Sequence, residues 1–271
     1  MTSLPEPPAL PDRFLTWWWR RGWRGFHMLR RLLRAGRLRV RTPYGSVFAL
    51  DPVAYIDGIV LREGYYESEV FEALRPYLGA GAVFWDIGGN IGLHAVTAKL
   101  LQPATQVFAF EPNPAMIREI QANARLNGVV LEVMPCALAE SAGPRTFHVN
   151  DQGNAGMSTL QAWHGGHYDR QITVECARGD ELVAAGRLPP PTVIKLDVEG
   201  GEAAVLAGLG SLLQRTELRA LVFEAAAGLG LAPDTDPIAG PLRAAGFRFI
   251  PLVRREHSAH PLDNYLATRP D

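Results

Sequence analysis

Val83-Phe84-Trp85-Asp86-Ile87-Gly88-Gly89-Asn90-Ile91-Gly92 is the stretch whose reading decides the fold. An apolar run enters a glycine-rich turn, and a helical pattern over residues 94–101 follows it. Glycines at such a turn permit φ > 0 and let the backbone approach a ligand closely. In open α/β sheets ligands bind at the carboxyl ends of strands, so this turn marks the expected site.

Outward from that turn, strand patterns recur at 83–87, 106–110, 131–135, 193–197, 218–223, 247–252 and 264–268. Helical patterns at 94–101, 115–127, 201–213 and 237–245 separate most of them, and another covers 68–78. Strands alternating with helices of this length imply a mostly parallel sheet covered by helices on both faces. The last two strands are joined without a helix and should pair as an antiparallel hairpin. Residues 139–180 read as an insertion, with strand-like edges around a glycine- and histidine-bearing loop, and long loops in such domains are often functional.

The glycine turn does not carry the dinucleotide fingerprint, because Ile87 stands where G-x-G-x-x-G needs glycine, and no Gly-Lys-Ser/Thr follows it. Asp86 is expected to point into the turn. A carboxylate there would repel a pyrophosphate but accept hydrogen bonds from an ammonium group. The second strand ends in Ala109-Phe110-Glu111-Pro112, which puts an acid 25 residues after Asp86. That position suits a bidentate hydrogen bond to ribose hydroxyls. A ribose and an amine without phosphate describe S-adenosylmethionine. A nicotinamide-dependent oxidoreductase and a non-catalytic module that merely binds the cofactor are the competing readings.

These residues resemble the FkbM-type family of S-adenosylmethionine-dependent methyltransferases over roughly residues 57–225. The likeness rests on Asp86-Ile87-Gly88-Gly89-Asn90-Ile91-Gly92, on Phe110-Glu111-Pro112-Asn113, on Asn154 to Leu160, and on Ile194-Lys195-Leu196-Asp197-Val198-Glu199-Gly200-Gly201-Glu202. The last is the most specific. Gly89 departs from the alanine usual in the family, a change a backbone turn tolerates. The resemblance implies the class I (Rossmann-like) methyltransferase fold and methyl transfer to oxygen on a small molecule or glycan: a sugar, a polyketide or a lipid-linked acceptor. It implies Asp86, Gly88, Asn90 and Glu111 as cofactor contacts, with Gly92 and Pro112 in the same motifs and Leu138 near the adenine.

Methyl transfer to a hydroxyl needs an aligned nucleophile and a group that takes its proton. Lys195, Asp197, Glu199 and Glu202 cluster at the end of the fourth strand. Asp197 and Glu199 are two apart and would share a face of an extended segment, one acting as base while Lys195 orients it. Alternatively, Asp197 and Glu224 could hold a hard divalent cation; with only two acids so positioned, a metal is not favoured. Glu202 also suits a plain helix start. His164 and His167 are further candidates for a base or a substrate contact, and Met157, Ser158 and Thr159 for shaping the acceptor pocket. Cys136 and Cys176 read as core.

The N-terminal quarter is different in character. Residues 1–12 carry four prolines and read as an extended lead. Residues 13–41 hold ten arginines and no acid, which leaves the rest of a chain of net charge −1 at about −11. A helix over 13–36 would set Leu15, Trp18, Trp19, Phe26, Leu29 and Leu33 against Arg20, Arg24, His27, Arg31 and Arg34. Such a helix would dock on the domain, lie on an anionic membrane, or form a dimer contact. Residues 38–62 read as short strands or a hairpin. Residues 1–67 are therefore expected to form an extension and 68–271 the cofactor-binding domain. Nucleic acid is disfavoured as a partner, because the acidic D-V-E-G tip would repel phosphates. Two cysteines, no apolar run of 18 residues and no leader pattern suggest a cytoplasmic setting, with peripheral attachment to the inner face of a membrane as the alternative.

Overall fold

The computed structural model describes residues 10–21, 36–150, 155–162, 167–253 and 262–269. A seven-stranded sheet forms its centre: β3 (Val83–Ile87), β4 (Gln106–Phe110), β5 (Glu132–Met134), β9 (Val193–Leu196), β10 (Ala220–Ala226), β11 (Arg248–Pro251) and β12 (Leu262–Thr268). Their spatial order is β11-β12-β10-β9-β3-β4-β5. β5, β4, β3, β9 and β10 run parallel, while β12 lies antiparallel between β10 and β11. The expected C-terminal hairpin is therefore present, with its second strand inserted next to β10.

Period-2 alternation sorts the strand side chains into two cores. Trp85, Ile87, Phe108, Phe110, Ile194 and Leu196 face one side, against α7 (Glu202–Leu209) and the buried residues of α8 (Ala239–Ala244). Phe84, Val107, Ala109, Val193 and Val222 face the other, against α4 (Leu93–Leu101) and α5 (Pro114–Leu126). α5 starts where Asn113 accepts a hydrogen bond from Ala115 N, with proline at the first helical position.

The second core also contains the N-terminal elements. α1 (Leu10–Arg20) packs on β1 (Leu38–Arg41) and on α2 (Tyr55–Glu63). Leu15 is fully buried, and Trp18 and Trp19 pack against the same core. Arg20 Nε donates to Leu61 O at 2.7 Å. The expected docking face is thus found for residues 10–20, but the helix starts at Leu10, inside the segment expected to be extended, and its described part ends at Arg20. Phe26, Leu29 and Leu33, with Arg24, His27, Arg31 and Arg34, lie outside the described residues.

β1 and β2 (Val47–Leu50) form the expected hairpin. The strand reading of 55–62 is corrected: this stretch is α2. Ile56, Ile59 and Val60 recur at helical spacing, Asp57 Oδ2 accepts Asp51 N at 2.7 Å, and Gly64 closes the helix in a left-handed conformation. α3 (Ser68–Leu74) follows, extended by a 3-10 turn. Likewise α7 ends at Leu209 and gives way to a 3-10 turn, Gly210–Gln214. The insertion forms a small sheet of β6 (Ala137–Leu138), β8 (Arg170–Ala177) and β7 (Gly143–Val149), and α6 (Gly179–Ala184) returns the chain to the main sheet. Among the described residues no helix is long and apolar enough to cross a membrane.

Candidate active site

The carboxyl ends of β3, β4 and β9 open onto a cavity. The chain leaves β3 toward β4 on one side and reaches β9 on the other, so the cavity sits at the topological switch point.

Its first wall is built by the turn after β3 and the end of β4. Gly88 N and Gly89 N both donate to Phe110 O at 3.0 Å. Gly88 has φ +85°, and a Cβ there would sit 1.8 Å from Asp197 O, so only glycine fits. Asn90 takes a left-handed φ of 49°. Its N–H donates to Glu111 Oε2 at 2.9 Å, and Asn113 N donates to Oε1 at 2.8 Å. Glu111 is buried, and burial pushes its carboxyl up to about 7 against the pull of those amides. Phe110, Pro112, Ala137 and Leu138 add apolar lining.

The second wall is electrostatic. Lys195, only 4% exposed, sends its ammonium to Asp197 Oδ2 at 3.0 Å and lies 3.7 Å from Asp86 Oδ1. Burial works against the ammonium, but Asp197, Asp86 and Glu67 outweigh it and hold it protonated. Burial lifts Asp86 to about 6 despite Lys195. Burial, reinforced by Asp197 and Glu224, lifts Glu199 to about 9.

Lys195, Asp197, Glu199, Gly88, Asn90, Glu111, Pro112 and Leu138 all line the cavity. Asp86 and Gly92 do not. Asp86 alternates onto the same face as Phe84, toward α4, and its Oδ2 accepts Ala95 N at 3.1 Å. Its carboxylate stands behind Lys195, not in the turn. A Cβ on Gly92 would press on Ile120 and Val96, which gives this glycine a packing reason. Glu199 is not extended: its φ is +55°, so it does not share a strand face with Asp197. Glu202 Oε1 accepts Val198 N at 3.2 Å and Gly200 N at 3.4 Å, which makes it a brace for the turn.

Among the loop candidates, Ser158 lines the cavity, whereas Met157 and Thr159 do not. Thr159 donates to Glu199 O at 2.9 Å, tying the insertion to the acidic tip. The His167 side chain is 80% exposed beside Asp169 and is not part of the lining. His164 and Asn154 lie outside the described residues. Among the described residues no three His, Cys, Asp or Glu side chains are grouped to hold a metal ion. Cys176 is buried in β8, and Cys136 packs against the first core.

Sequence reasoning missed Glu67 and His94, two titratable residues of the lining. Glu67, at the start of α3, is buried with φ +51°, and Asn264 Nδ2 donates to its Oε1 at 3.0 Å. Burial and the nearby Asp197 raise it to about 8. His94 lines the cavity from the first turn of α4. Neither belongs to a spaced motif, and only the tertiary fold brings them to the cavity that Lys195 lines.

Comparison with known proteins agrees with this architecture. The Methyltransferase FkbM domain family matches residues 86–249. The hexuronic acid methyltransferase AglP of Haloferax volcanii is 33% identical over 172 residues, covering 63% of this chain and 67% of that protein. The 31-O-demethyl-FK506 methyltransferase FkbM of Streptomyces tacrolimicus is 28% identical, covering 50% of this chain and 61% of that protein. The 2-O-methyltransferase NoeI of Sinorhizobium fredii is 30% identical, covering 49% and 60%. These alignments thus span about two thirds or less of the relatives' own lengths. With more than half of its residues inside the family's domain, the chain belongs to the FkbM-type family of S-adenosylmethionine-dependent methyltransferases.

Proposed function

We propose that the chain transfers a methyl group from S-adenosylmethionine to a hydroxyl oxygen of a sugar, a glycan or another hydroxylated small molecule. The observation that carries this reading is the Lys195–Asp197 pair, 3.0 Å apart, on a cavity whose opposite wall presents Glu111.

The first wall fits the cofactor by its chemistry. Glu111 offers a buried carboxylate, already held at both oxygens by main-chain amides, to the two hydroxyls of a ribose. Phe110, Pro112 and Leu138 supply apolar surface for an adenine, and Gly88 and Asn90 provide close backbone approach. When bound, the cofactor supplies a methyl group activated on a sulfonium. The protein must align the acceptor and receive its proton.

On the second wall Asp197 is the group suited to take that proton. Lys195 orients its carboxylate, and Asp86 behind Lys195 keeps the ammonium in register. Glu199, lifted to about 9, is protonated at neutral pH and so serves as a hydrogen-bond donor to the acceptor, not as the base. The names of two relatives, a hexuronic acid methyltransferase and a 2-O-methyltransferase, support a sugar hydroxyl as acceptor. Exposed Phe14 and Trp17 on an arginine-rich N-terminus support peripheral contact with an anionic membrane, which would favour a lipid-linked acceptor.

Calorimetry with S-adenosylmethionine, S-adenosylhomocysteine and NAD tests the reading. Both adenosyl compounds should bind, NAD should not, and Asp197→Asn should keep that binding while losing turnover on uronic acid glycosides by about 10²-fold or more. Binding of NAD alone, or full turnover in Asp197→Asn, would overturn it.

A further inference from the structure

Ile56 and Tyr66 belong to neither wall of the cavity, yet both line it and both are partly exposed. Ile56 is the second residue of α2, and Tyr66 directly precedes Glu67. Each also packs against the second core, so neither is a loose surface side chain. Ile56, Tyr66 and Glu67 all precede the span matched by the family, residues 86–249. This part of the lining is supplied by the N-terminal extension.

Sheet order says which half of the cavity it covers. Glu67 Oε1 accepts Asn264 Nδ2 at 3.0 Å, and Asn264 pairs with Glu224 across β12 and β10. α3, which starts directly after Glu67, packs on the same two strands. Those strands lie on the far side of β9 from β3 and β4. Glu111, at the end of β4, holds the ribose in the reading above. The extension thus meets the sheet on the half away from the ribose wall, with the Lys195–Asp197 pair at the end of β9 between them.

The chain on either side of Tyr66 is anchored. Tyr65 donates its hydroxyl to Leu93 O at 3.2 Å, and its ring lies 4.7 Å from Tyr44 and 5.7 Å from Phe71. Glu67 is fixed by Asn264. Adjacent side chains of an extended segment point to opposite faces. Glu67 instead has φ +51°, and that left-handed bend lets Tyr66 and Glu67 line one cavity. A non-glycine residue persists there only where its surroundings over-determine it, and such strain clusters at binding sites.

We propose that Tyr66, backed by Ile56, is the platform on which the acceptor lies, one C–H face of a sugar ring stacking on the phenol while a hydroxyl reaches Asp197. The inference rests on the hydroxyl-methylating reading above and deepens it by assigning acceptor recognition to the N-terminal extension. A pyranose carries its hydroxyls around the rim and hydrogens on its faces. An aromatic ring can bury such an apolar face and leave the rim free to hydrogen-bond. Glu67, Asp197 and Glu199, on the same lining, suit that rim.

Calorimetry on the full chain loaded with S-adenosylhomocysteine tests this, with methyl β-D-glucopyranosiduronate as the probe. Tyr66→Ala should weaken the glycoside by at least about tenfold and leave S-adenosylhomocysteine within about twofold. Tyr66→Phe, which keeps the ring, should restore glycoside affinity. Glycoside affinity unchanged in Tyr66→Ala, lost equally in Tyr66→Phe, or lost together with that of S-adenosylhomocysteine would each overturn the platform. Should the alanine variant fold poorly, saturation-transfer NMR on wild type with only its tyrosine rings protonated gives an independent readout. Protons on one face of the glycoside should receive the larger saturation, and equal saturation of both faces would overturn the proposal. A glycoside that fails to bind wild type would overturn the platform and the sugar acceptor together. Failure of S-adenosylhomocysteine to bind would strike the cofactor reading, and the platform with it.

Discussion

The two walls of the cavity share one sheet edge but are put together differently. On the β4 side, Glu111 is held by the main-chain amides of Asn90 and Asn113, all within one strand–turn–helix–strand segment. On the β9 side, Lys195 stands among Asp86, Asp197 and Glu67, which come from three different parts of the chain. The first wall satisfies its carboxylate with backbone; the second concentrates several carboxyls around one ammonium. Local backbone makes a rigid recognition surface that stands by itself. A long-range charge cluster keeps its protonation states only while every partner is present.

The largest test removes the hub. Lys195→Met should lower stability by about 3–5 kcal/mol at neutral pH, because it leaves buried carboxylates without their cation. Urea denaturation measures it, and a loss below about 1 kcal/mol would mean that the cluster does not depend on the ammonium. Next, Glu111→Ala should weaken S-adenosylhomocysteine by about 10²-fold, the worth of two hydrogen bonds to a charged group. Calorimetry reads that directly, while unchanged affinity would break the contrast by removing the ligand from the first wall.

A third test separates the walls by pH. Glu199 titrates near 9 in the folded chain against an ordinary value of 4.5. Folding thus favours its protonated form, a contribution complete below about pH 4.5 and lost as the pH rises through 9. Wild type should lose stability between about pH 5 and 9, and Glu199→Gln should flatten that slope, with a gain of about 1 kcal/mol or more at pH 8. Melting curves at pH 5 and 8 decide it: a variant with the wild-type slope assigns the titration elsewhere, to Glu67 or Glu111. The smallest effect belongs to the exposed face of α1. Trp17→Ser should leave stability within about 0.5 kcal/mol while reducing sedimentation with anionic liposomes. Unchanged sedimentation would remove the membrane role from this helix.

The same contrast explains what could be read in advance. Glu111, Gly88, Asn90 and Pro112 belong to short motifs in which strand, turn and helix follow one another, and with Leu138 they line the cavity. Asp86 belongs to the same motif yet points away, because strand alternation turned it toward α4 and Lys195. Glu199 was expected on an extended segment and instead takes a left-handed turn. α2 was read as strand because its helical spacing continues directly from a genuine hairpin.

From sequence alone came the parallel α/β sheet, the glycine turn after β3, the acid at the end of β4 and the clustered Lys195, Asp197 and Glu199. Each depends on residues near in the chain, where periodicity, turn chemistry and spacing act directly on the backbone. The tertiary structure alone decided that Asp86 backs Lys195, that Glu67 is held by Asn264, and that His94 lines the same cavity as Tyr66. Those facts follow from sheet order and burial, which bring together residues up to 197 positions apart and strip them of water, and no local pattern encodes either.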